Sequence, residues 1–139
     1  MSTNREIAEQ YLRLIDRGQV DAAVALFAPA FEFTNPMARV TDVGTLAMMM
    51  KGYGASFPGH QAEITNAVEA GEHVVVEGIW RGTHTGPMML PNGASIPATG
   101  KTVAVPFATL FRIQGGKIQS HHGYWDAAGF MAQLGLGGS

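Results

Sequence analysis

The segment Thr102-Val-Ala-Val-Pro-Phe-Ala-Thr-Leu-Phe-Arg-Ile113 decides the fold class, because apolar residues recur in it at every second position. Such residues share one face of a strand, and here the shared face carries Val103, Val105, Phe107, Thr109, Phe111 and Ile113. The next residues, Gln114-Gly-Gly-Lys117, have the glycines of a tight turn. They lead into a last strand over 117–125, so the two segments predict an antiparallel hairpin.

A second hairpin is predicted upstream of the first. Residues 60–70 alternate, with Ala62, Ile64, Asn66 and Val68 on one face, and Ala70-Gly71-Glu72 makes a turn into a strand over 73–83. Residues 86–100 then contain three prolines and three glycines. A loop of this length in a compact domain is typically a functional lid or an interface arm.

Helices are predicted mainly before these strands. Thr3-x-x-Glu6 is a capping-box pattern, and the helix behind it ends at Gly18. Further helices are predicted over 21–28, from a cap at Thr41 to Phe57, and over 127–134, with a short strand around Phe31 and Phe33. Helices followed by hairpins predict an α+β fold, in which the helices pack on one face of an antiparallel sheet.

The composition argues against several classes of function. Nine Lys and Arg against eleven Asp and Glu give a net charge of −2 without any run of like charge, so a nucleic-acid-binding face is not expected. The chain has no Cys, which removes disulfides and cysteine nucleophiles. Without a signal-peptide core or an apolar stretch of about 18 residues, we expect a cytoplasmic protein that does not span a membrane. The 46% of hydrophobic residues indicates a pocket, a dimer interface or both.

Several short motifs carry a family resemblance. They are Gly82-Thr-His-Thr-Gly86, Thr99-Gly-Lys101, Phe111-Arg-Ile113, Gly116-Lys-Ile118 and Tyr124-Trp-Asp126 through Gln133-Leu-Gly135. Together with the order of elements, they make the chain similar to the SnoaL-like polyketide cyclases and ester cyclases, which have the NTF2-like fold. The resemblance implies one domain over residues 1–139, shaped as a cone around an apolar pocket. It also implies a homodimer through the sheet, and neither a metal nor an organic cofactor.

Asp126 is the main catalytic candidate, because the resemblance places the family's acid–base carboxylate at the end of the final strand. In those cyclases the carboxylate removes a proton from an activated carbon, and the enolate attacks a carbonyl of the same molecule. Such a base needs an apolar pocket that raises its pKa. Asp126 also directly precedes the last predicted helix, where aspartate is a natural N-cap. A cap favours the charged carboxylate, so the two interpretations are alternatives.

The last strand supplies further candidates. If it is regular, Ser120, His122, Tyr124 and Asp126 share the pocket face, while His121 points to solvent or to an interface. The family commonly has glutamate and tryptophan where this chain has Ser120 and His122, so a second acid is missing here. His122 is a candidate donor or base, with a hydrogen-bonded wall residue as the alternative.

Neighbouring elements complete the candidate site. His84 either polarises a substrate oxygen or fixes the loop that contains it. The residues expected to contact a substrate are Tyr124, Trp80, Asn35, Thr109, Met49, Met50, Tyr53, Met88 and Phe107. The five histidines show no helical H-x-x-x-H pair, so no metal site is expected. Because Asp126 is the one aspartate on the predicted strands, an epoxide hydrolase with an Asp-Arg-Asp site is disfavoured.

Two functions are consistent with these features. The first is a cofactor-independent cyclase or isomerase that acts on a hydrophobic polyketide-like ester or ketone, with Asp126 as general base. The second is a non-catalytic protein that binds an apolar small molecule in the same pocket, which Ser120 and the methionine-rich loop favour. In both cases the expected partner is a hydrophobic small molecule rather than nucleic acid or membrane.

Overall fold

The chain folds into helices packed on a curved, mainly antiparallel sheet, which confirms the predicted α+β class. A computed structural model describes residues 3–90 and 92–136. Its elements in chain order are α1 (Asn4–Asp16), α2 (Val20–Val24), β1 (Phe27–Asn35), β2 (Ala38–Val40), α3 (Val43–Ser56), β3 (Gln61–Ala70), β4 (His73–Thr83), β5 (Met88–Met89), β6 (Ser95–Ile96), β7 (Thr102–Gln114), β8 (Lys117–Trp125) and α4 (Ala127–Gln133).

Six strands form the main sheet in the order β2-β1-β8-β7-β4-β3. The predicted hairpins β3–β4 and β7–β8 are confirmed, and β4 pairs antiparallel with β7. The sequence did not predict that β1 joins the sheet parallel to β8 or that β2 extends its edge. Within the long loop, β5 and β6 form a separate two-stranded hairpin.

Two helices differ from the prediction at one end. The capping box at Thr3 is present as predicted. Helix α2 ends at Val24 rather than at Ala28, because the residues from Phe27 onward pair with β8. Helix α3 is capped by Asp42 instead of Thr41, since the Asp42 carboxylate accepts the Thr45 amide. Within residues 3–90 and 92–136, no helix is long and apolar enough to cross a membrane.

Two apolar clusters fill the space between the helices and the sheet. The first packs α1, α2 and α3 onto the sheet around Phe33, Leu46 and Phe111, which are at most 2% exposed. The second includes Phe57 and Phe130 and lies where α4 and the β5–β6 hairpin meet the sheet. Because the cavity described below is lined by residues of both clusters, the two cores position the site.

A β-bulge in β3 changes which of its side chains face the core. Ile64 pairs with Gly78 and Asn66 pairs with Glu77, so Thr65 is an extra residue. The prediction that Ile64 and Val68 share a face is therefore wrong, and Val68 is 54% exposed. Gly78 makes the bulge possible, because a Cβ at this position would collide with the Glu63 carbonyl.

A second bulge reverses the predicted faces of β8. Ile113 pairs with Ile118 but Arg112 pairs with Ser120, so Gln119 is unpaired and the buried residues Ile118 and His121 are three positions apart. Beyond Gln119 the cavity is lined by His121, Gly123 and Trp125. The prediction that Ser120, His122, Tyr124 and Asp126 face the pocket is therefore wrong, because it required a regular strand.

Gly52 weakens α3 without a packing reason, since a Cβ at this position would meet no atom within 4 Å. A glycine inside a helix costs roughly 0.5–1 kcal/mol relative to alanine. We therefore expect Gly52→Ala to raise the free energy of unfolding by this amount, measured by urea denaturation. Gly78→Ala, the matched control, should lower it. A loss of stability in Gly52→Ala would contradict a helical conformation at this position.

Candidate functional site

An apolar cavity of about 150 Å³ lies between the helices and the inner face of the sheet. A cavity of this volume holds a molecule of about the size of benzene. Its walls come from α1, β1, α3, the α3–β3 turn, β3, β4, β7, β8 and α4. The lining residues are Tyr11, Leu12, Ile15, Asp16, Phe33, Asn35, Met50, Tyr53, Phe57, His60, Ala62, Trp80, Val105, Phe107, Thr109, His121, Gly123, Trp125 and Phe130.

Part of the predicted substrate-contacting set lines this cavity. These residues are Asn35, Met50, Tyr53, Trp80, Phe107 and Thr109. Met49 instead packs at the edge of the first apolar cluster, and Met88 is buried in the second. The apolar stripe of α3 and the alternation in β7 therefore identified wall residues. In the methionine-rich loop, Met88 packs in the core, whereas Met89 is 72% exposed.

Asp126 does not face the cavity. It is exposed and caps α4, where its Oδ1 accepts the Gly129 amide at 2.8 Å. The prediction that its carboxylate faces a dry pocket is wrong, and the alternative prediction of an N-cap is confirmed. The bulge at Gln119 alone does not explain this position, because Asp126 has already left β8 and begins the helix.

His122 and Tyr124 lie on the outer face of the sheet. His122 Nε2 is 2.9 Å from Glu32 Oε1, and Arg39 binds the other oxygen of the same carboxylate at 3.0 Å. These contacts lower the pKa of Glu32, with the hydrogen bond from His122 as the largest cause. Tyr124 is 61% exposed. Neither side chain is in reach of a ligand in the cavity.

His84 fixes the long loop, which agrees with the structural alternative for this residue. Its side chain is fully buried, Nδ1 accepts the Thr99 amide at 3.2 Å, and Nδ1 lies 3.0 Å from the Thr99 hydroxyl. Its backbone pairs with Lys101 and Gly100. The His84 ring stacks on Phe57 with centroids 5.2 Å apart. Phe57 in turn lines the cavity, whereas His84 does not.

Within residues 3–90 and 92–136, the Tyr53 hydroxyl hydrogen has no acceptor, so it is available to a ligand. Asn35 Oδ1 accepts the Met37 amide at 2.8 Å, which fixes the amide so that Nδ2 donates to the Tyr53 hydroxyl oxygen at 3.4 Å. Burial raises the pKa of Tyr53, and the Asn35 contact opposes this only in part. Tyr53 is therefore a neutral donor inside an apolar cavity.

Tyr11 provides a second neutral hydroxyl in the cavity. It is 2% exposed, and its hydroxyl donates to Met50 Sδ at 3.8 Å. Burial raises the pKa of Tyr11, and the neighbouring Tyr53 raises it further. Because a thioether is a weak acceptor, a ligand oxygen would be a better partner for this hydroxyl than the one it has.

Asp16 and His60 form a polar pair in the cavity wall. His60 is 4% exposed, and its Nδ1 lies 3.5 Å from Asp16 Oδ1. Among the described residues that line the cavity, Asp16 is the only carboxylate. The cavity thus combines hydroxyl donors with a carboxylate–imidazole pair in mostly apolar surroundings.

His121 is the second imidazole of the cavity and is only 7% exposed. Its ring stacks on Phe33 with centroids 4.2 Å apart and meets Tyr11 and Phe111 edge-on. Burial lowers the pKa of His121 to about 4, although its own backbone and that of Thr34 act in the opposite direction. His121 is therefore neutral at pH 7, and the prediction that it faces solvent or an interface is wrong.

Four polar residues that line the cavity were not predicted from the sequence as site residues: Tyr11, Asp16, His60 and His121. A signal existed for Asp16, because it follows the apolar stripe of α1 four residues after Leu12 and therefore lies on the same side of the helix. His60 stands between a Pro-Gly break and β3 without any local pattern. His121 was assigned to the wrong face by the unrecognised bulge.

Comparisons with known proteins agree with the architecture. The family profile of the SnoaL-like polyketide cyclase matches residues 5–134. A hypothetical protein with a ketosteroid isomerase-like fold from Catenulispora acidiphila, crystallised with trimethylamine, is 26% identical, with a TM-score of 0.79 over 96% of this chain and 95% of that one. No curated protein matches significantly.

Two further structures share the fold at lower identity. IdmH from Streptomyces antibioticus, described as a candidate polyketide cyclase, is 21% identical with a TM-score of 0.80, covering 97% of this chain and 100% of that one. An LEH-like epoxide hydrolase from M. tuberculosis is 16% identical with a TM-score of 0.72, covering 96% of this chain and 90% of that one. At these identities the likeness shows the fold alone.

The low pKa of His121 predicts acid sensitivity. His121 binds a proton near pH 6.5 in the unfolded chain but only near pH 4 in the folded chain. The free energy of unfolding therefore falls as the pH drops from 6.5 to 4. We expect His121→Phe to lose less stability between pH 7 and pH 4 than the wild type, by about 3 kcal/mol. Denaturation at a series of pH values measures this. His73→Gln, at an exposed histidine, is the control; equal acid slopes in all three proteins would contradict the burial effect.

Proposed function

Because this chain belongs to the SnoaL-like polyketide cyclase family, we propose that it is a cofactor-independent isomerase or cyclase that moves a proton on an apolar ketone held in the cavity. The single observation that carries the proposal is the Tyr53 hydroxyl, which Asn35 orients within an apolar cavity that also contains acid–base groups. Asp126 has no part in it, because its carboxylate caps α4.

The reaction requires a donor for the oxygen on which charge develops. When a base removes a proton from the carbon beside a carbonyl, the C–H electron pair moves into an enolate and the charge rests on oxygen. A preoriented donor in apolar surroundings stabilises this charge more than water does, and one such donor contributes roughly 10²–10³-fold in rate. Tyr53 fits the role, since Asn35 fills the acceptor side of its hydroxyl and leaves the hydrogen for the substrate.

The fate of the enolate decides between isomerisation and cyclisation. Return of the proton to another carbon of a conjugated enolate moves a double bond, whereas attack on a second carbonyl of the same molecule closes a ring. Neither route needs a co-reactant. The volume of about 150 Å³ favours a substrate whose reacting part is a single ring.

A non-catalytic binding protein is the second candidate function. The observation that favours it is that the carboxylate expected from the family resemblance, Asp126, is outside the cavity. A binding protein would be stabilised by ring-sized ligands without converting them. The same probe therefore distinguishes the two functions.

A suitable probe is 3-cyclohexen-1-one, which absorbs strongly in the ultraviolet once its double bond becomes conjugated. We expect the wild type to catalyse this isomerisation and Tyr53→Phe to lower kcat about 10²-fold, because the enolate oxygen loses its donor. Asp126→Asn, which preserves a good N-cap, should stay within about twofold of wild type. A wild-type protein that the probe stabilises but does not isomerise would contradict the enzymatic proposal and support the binding protein.

We also propose that the chain forms a homodimer through the outer face of the sheet. Val75 and Leu110 are paired neighbours on this face. The β8 partner of Leu110 is His122, and Tyr124 lies two residues further along β8, diagonal to Leu110. Val75 and Tyr124 are 40% and 61% exposed. The exposed ion pairs Arg81–Glu63 and Arg112–Glu72 lie toward opposite ends of the β4–β7 ladder, on either side of this apolar row. A second copy would bury the row and leave the charges at its rim.

A charge on this face tests the dimer. We expect Val75→Lys to shift the protein to monomers in sedimentation experiments, because a buried unpaired charge opposes association. Met48→Lys places the same charge on α3, where Met48 is 71% exposed, and should leave the oligomeric state unchanged. A wild type that sediments as a monomer at micromolar concentration would contradict the proposal.

A further inference from the structure

We infer that His60 is the general base of the cavity and that Asp16 is its positioning residue, an assignment that rests on the proposed function. His60 lines the cavity and is 4% exposed, and its Nδ1 lies 3.5 Å from Asp16 Oδ1. Among the described residues, Nδ1 is buried without a hydrogen-bond partner in the free protein, and the Asp16 carboxylate is the anionic group beside it. We assign Nε2, the other ring nitrogen, to the ligand. The two residues come from different parts of the chain, and the fold brings them together at one wall.

The carboxylate of Asp16 is held in place by β3. Asp16 is the last residue of α1, and its two oxygens accept the Ala62 amide at 3.2 and 3.0 Å. This contact ties the end of the helix to the start of the strand directly beside His60. The carboxylate therefore keeps its orientation through the main chain, and among the described residues it makes no salt bridge to Lys or Arg.

The imidazole is positioned from the other side by aromatic packing. The His60 amide donates to the Phe57 carbonyl at 3.2 Å, which closes the turn between α3 and β3. Its ring lies tilted against Trp80 with centroids 5.3 Å apart. Trp80 and Phe57 also line the cavity. The backbone turn and the indole together hold the His60 ring beside the Asp16 carboxylate.

This arrangement suits proton transfer. A carboxylate beside Nδ1 favours the tautomer with hydrogen on Nδ1, so the lone pair is on Nε2. The base takes the proton from the carbon beside the substrate carbonyl, and the electron pair of the broken C–H bond passes to the carbonyl oxygen. Asp16 then faces the imidazolium, and the proton returns to carbon or to the new alkoxide. A separation of 3.5 Å in the free protein is long, as is common before a substrate binds.

The other acid–base groups near the cavity fit this role less well. His121 is wedged between aromatic rings, has no carboxylate beside it, and has a pKa of about 4. Tyr11 and Tyr53 are kept protonated by burial. The Asp16 carboxylate is already occupied by the Ala62 amide. His60 is the group with both an ion partner and a free nitrogen.

The test compares His60→Gln and Asp16→Asn with the wild type in the isomerisation of 3-cyclohexen-1-one. We expect His60→Gln to lower kcat by about 10²-fold or more. Asp16→Asn retains an oxygen for the Ala62 amide, and we expect it to lower kcat about tenfold with little change in KM. His122→Gln, on the outer face, is the matched control. Imidazole added to His60→Ala should restore part of the rate, which a purely structural histidine would not show.

A second measurement does not depend on turnover. Nitrogen-detected NMR of the wild type should show His60 as the Nδ1–H tautomer, with a slowly exchanging proton that is lost or shifted in Asp16→Asn. An active wild type with undiminished kcat in His60→Gln would overturn the base assignment while leaving the proposed function intact. An Nε2–H tautomer, whether or not the probe turns over, would overturn the pairing with Asp16.

Discussion

The unpaired residue Gln119 in β8 determines which side chains reach the cavity. Before it, Ile118 is buried; after it, His121 and Gly123 face inward while His122 and Tyr124 face outward. One extra residue therefore separates the aromatic-stacked imidazole of His121 inside the protein from the imidazole of His122, which contacts Glu32 outside it. Because side chains of a strand alternate strictly, a shift by one position moves every later residue to the other face.

The cavity owes its chemical character to a small number of polar groups in apolar surroundings. Burial keeps the hydroxyls of Tyr11 and Tyr53 protonated and His121 neutral at pH 7. These groups act as hydrogen-bonding partners, whereas the Asp16–His60 pair supplies the one carboxylate among the described lining residues. The proposed donor, Tyr53, lies on α3 and the proposed base, His60, lies in the α3–β3 turn. The account requires a carbonyl compound in the cavity to contact both.

The sequence predicted the architecture better than the site. Alternation in β7 and the apolar stripe of α3 placed Thr109, Phe107, Met50 and Tyr53 in the wall correctly, because regular elements repeat their geometry. The assignment of Asp126 to the pocket failed, since no local pattern marks the bulge at Gln119 and the carboxylate is used as a cap. The Asp16–His60 contact joins residues from two elements that only the folded chain brings together.

The most direct test of the account is a crystal structure of the protein with phenol, whose ring and oxygen resemble a cyclic dienolate. The account predicts one phenol in the cavity, with its oxygen at about 2.8 Å from the Tyr53 hydroxyl oxygen and its ring edge beside His60 Nε2. Phenol bound only outside the cavity, or in the cavity with its oxygen turned away from Tyr53, would contradict the account.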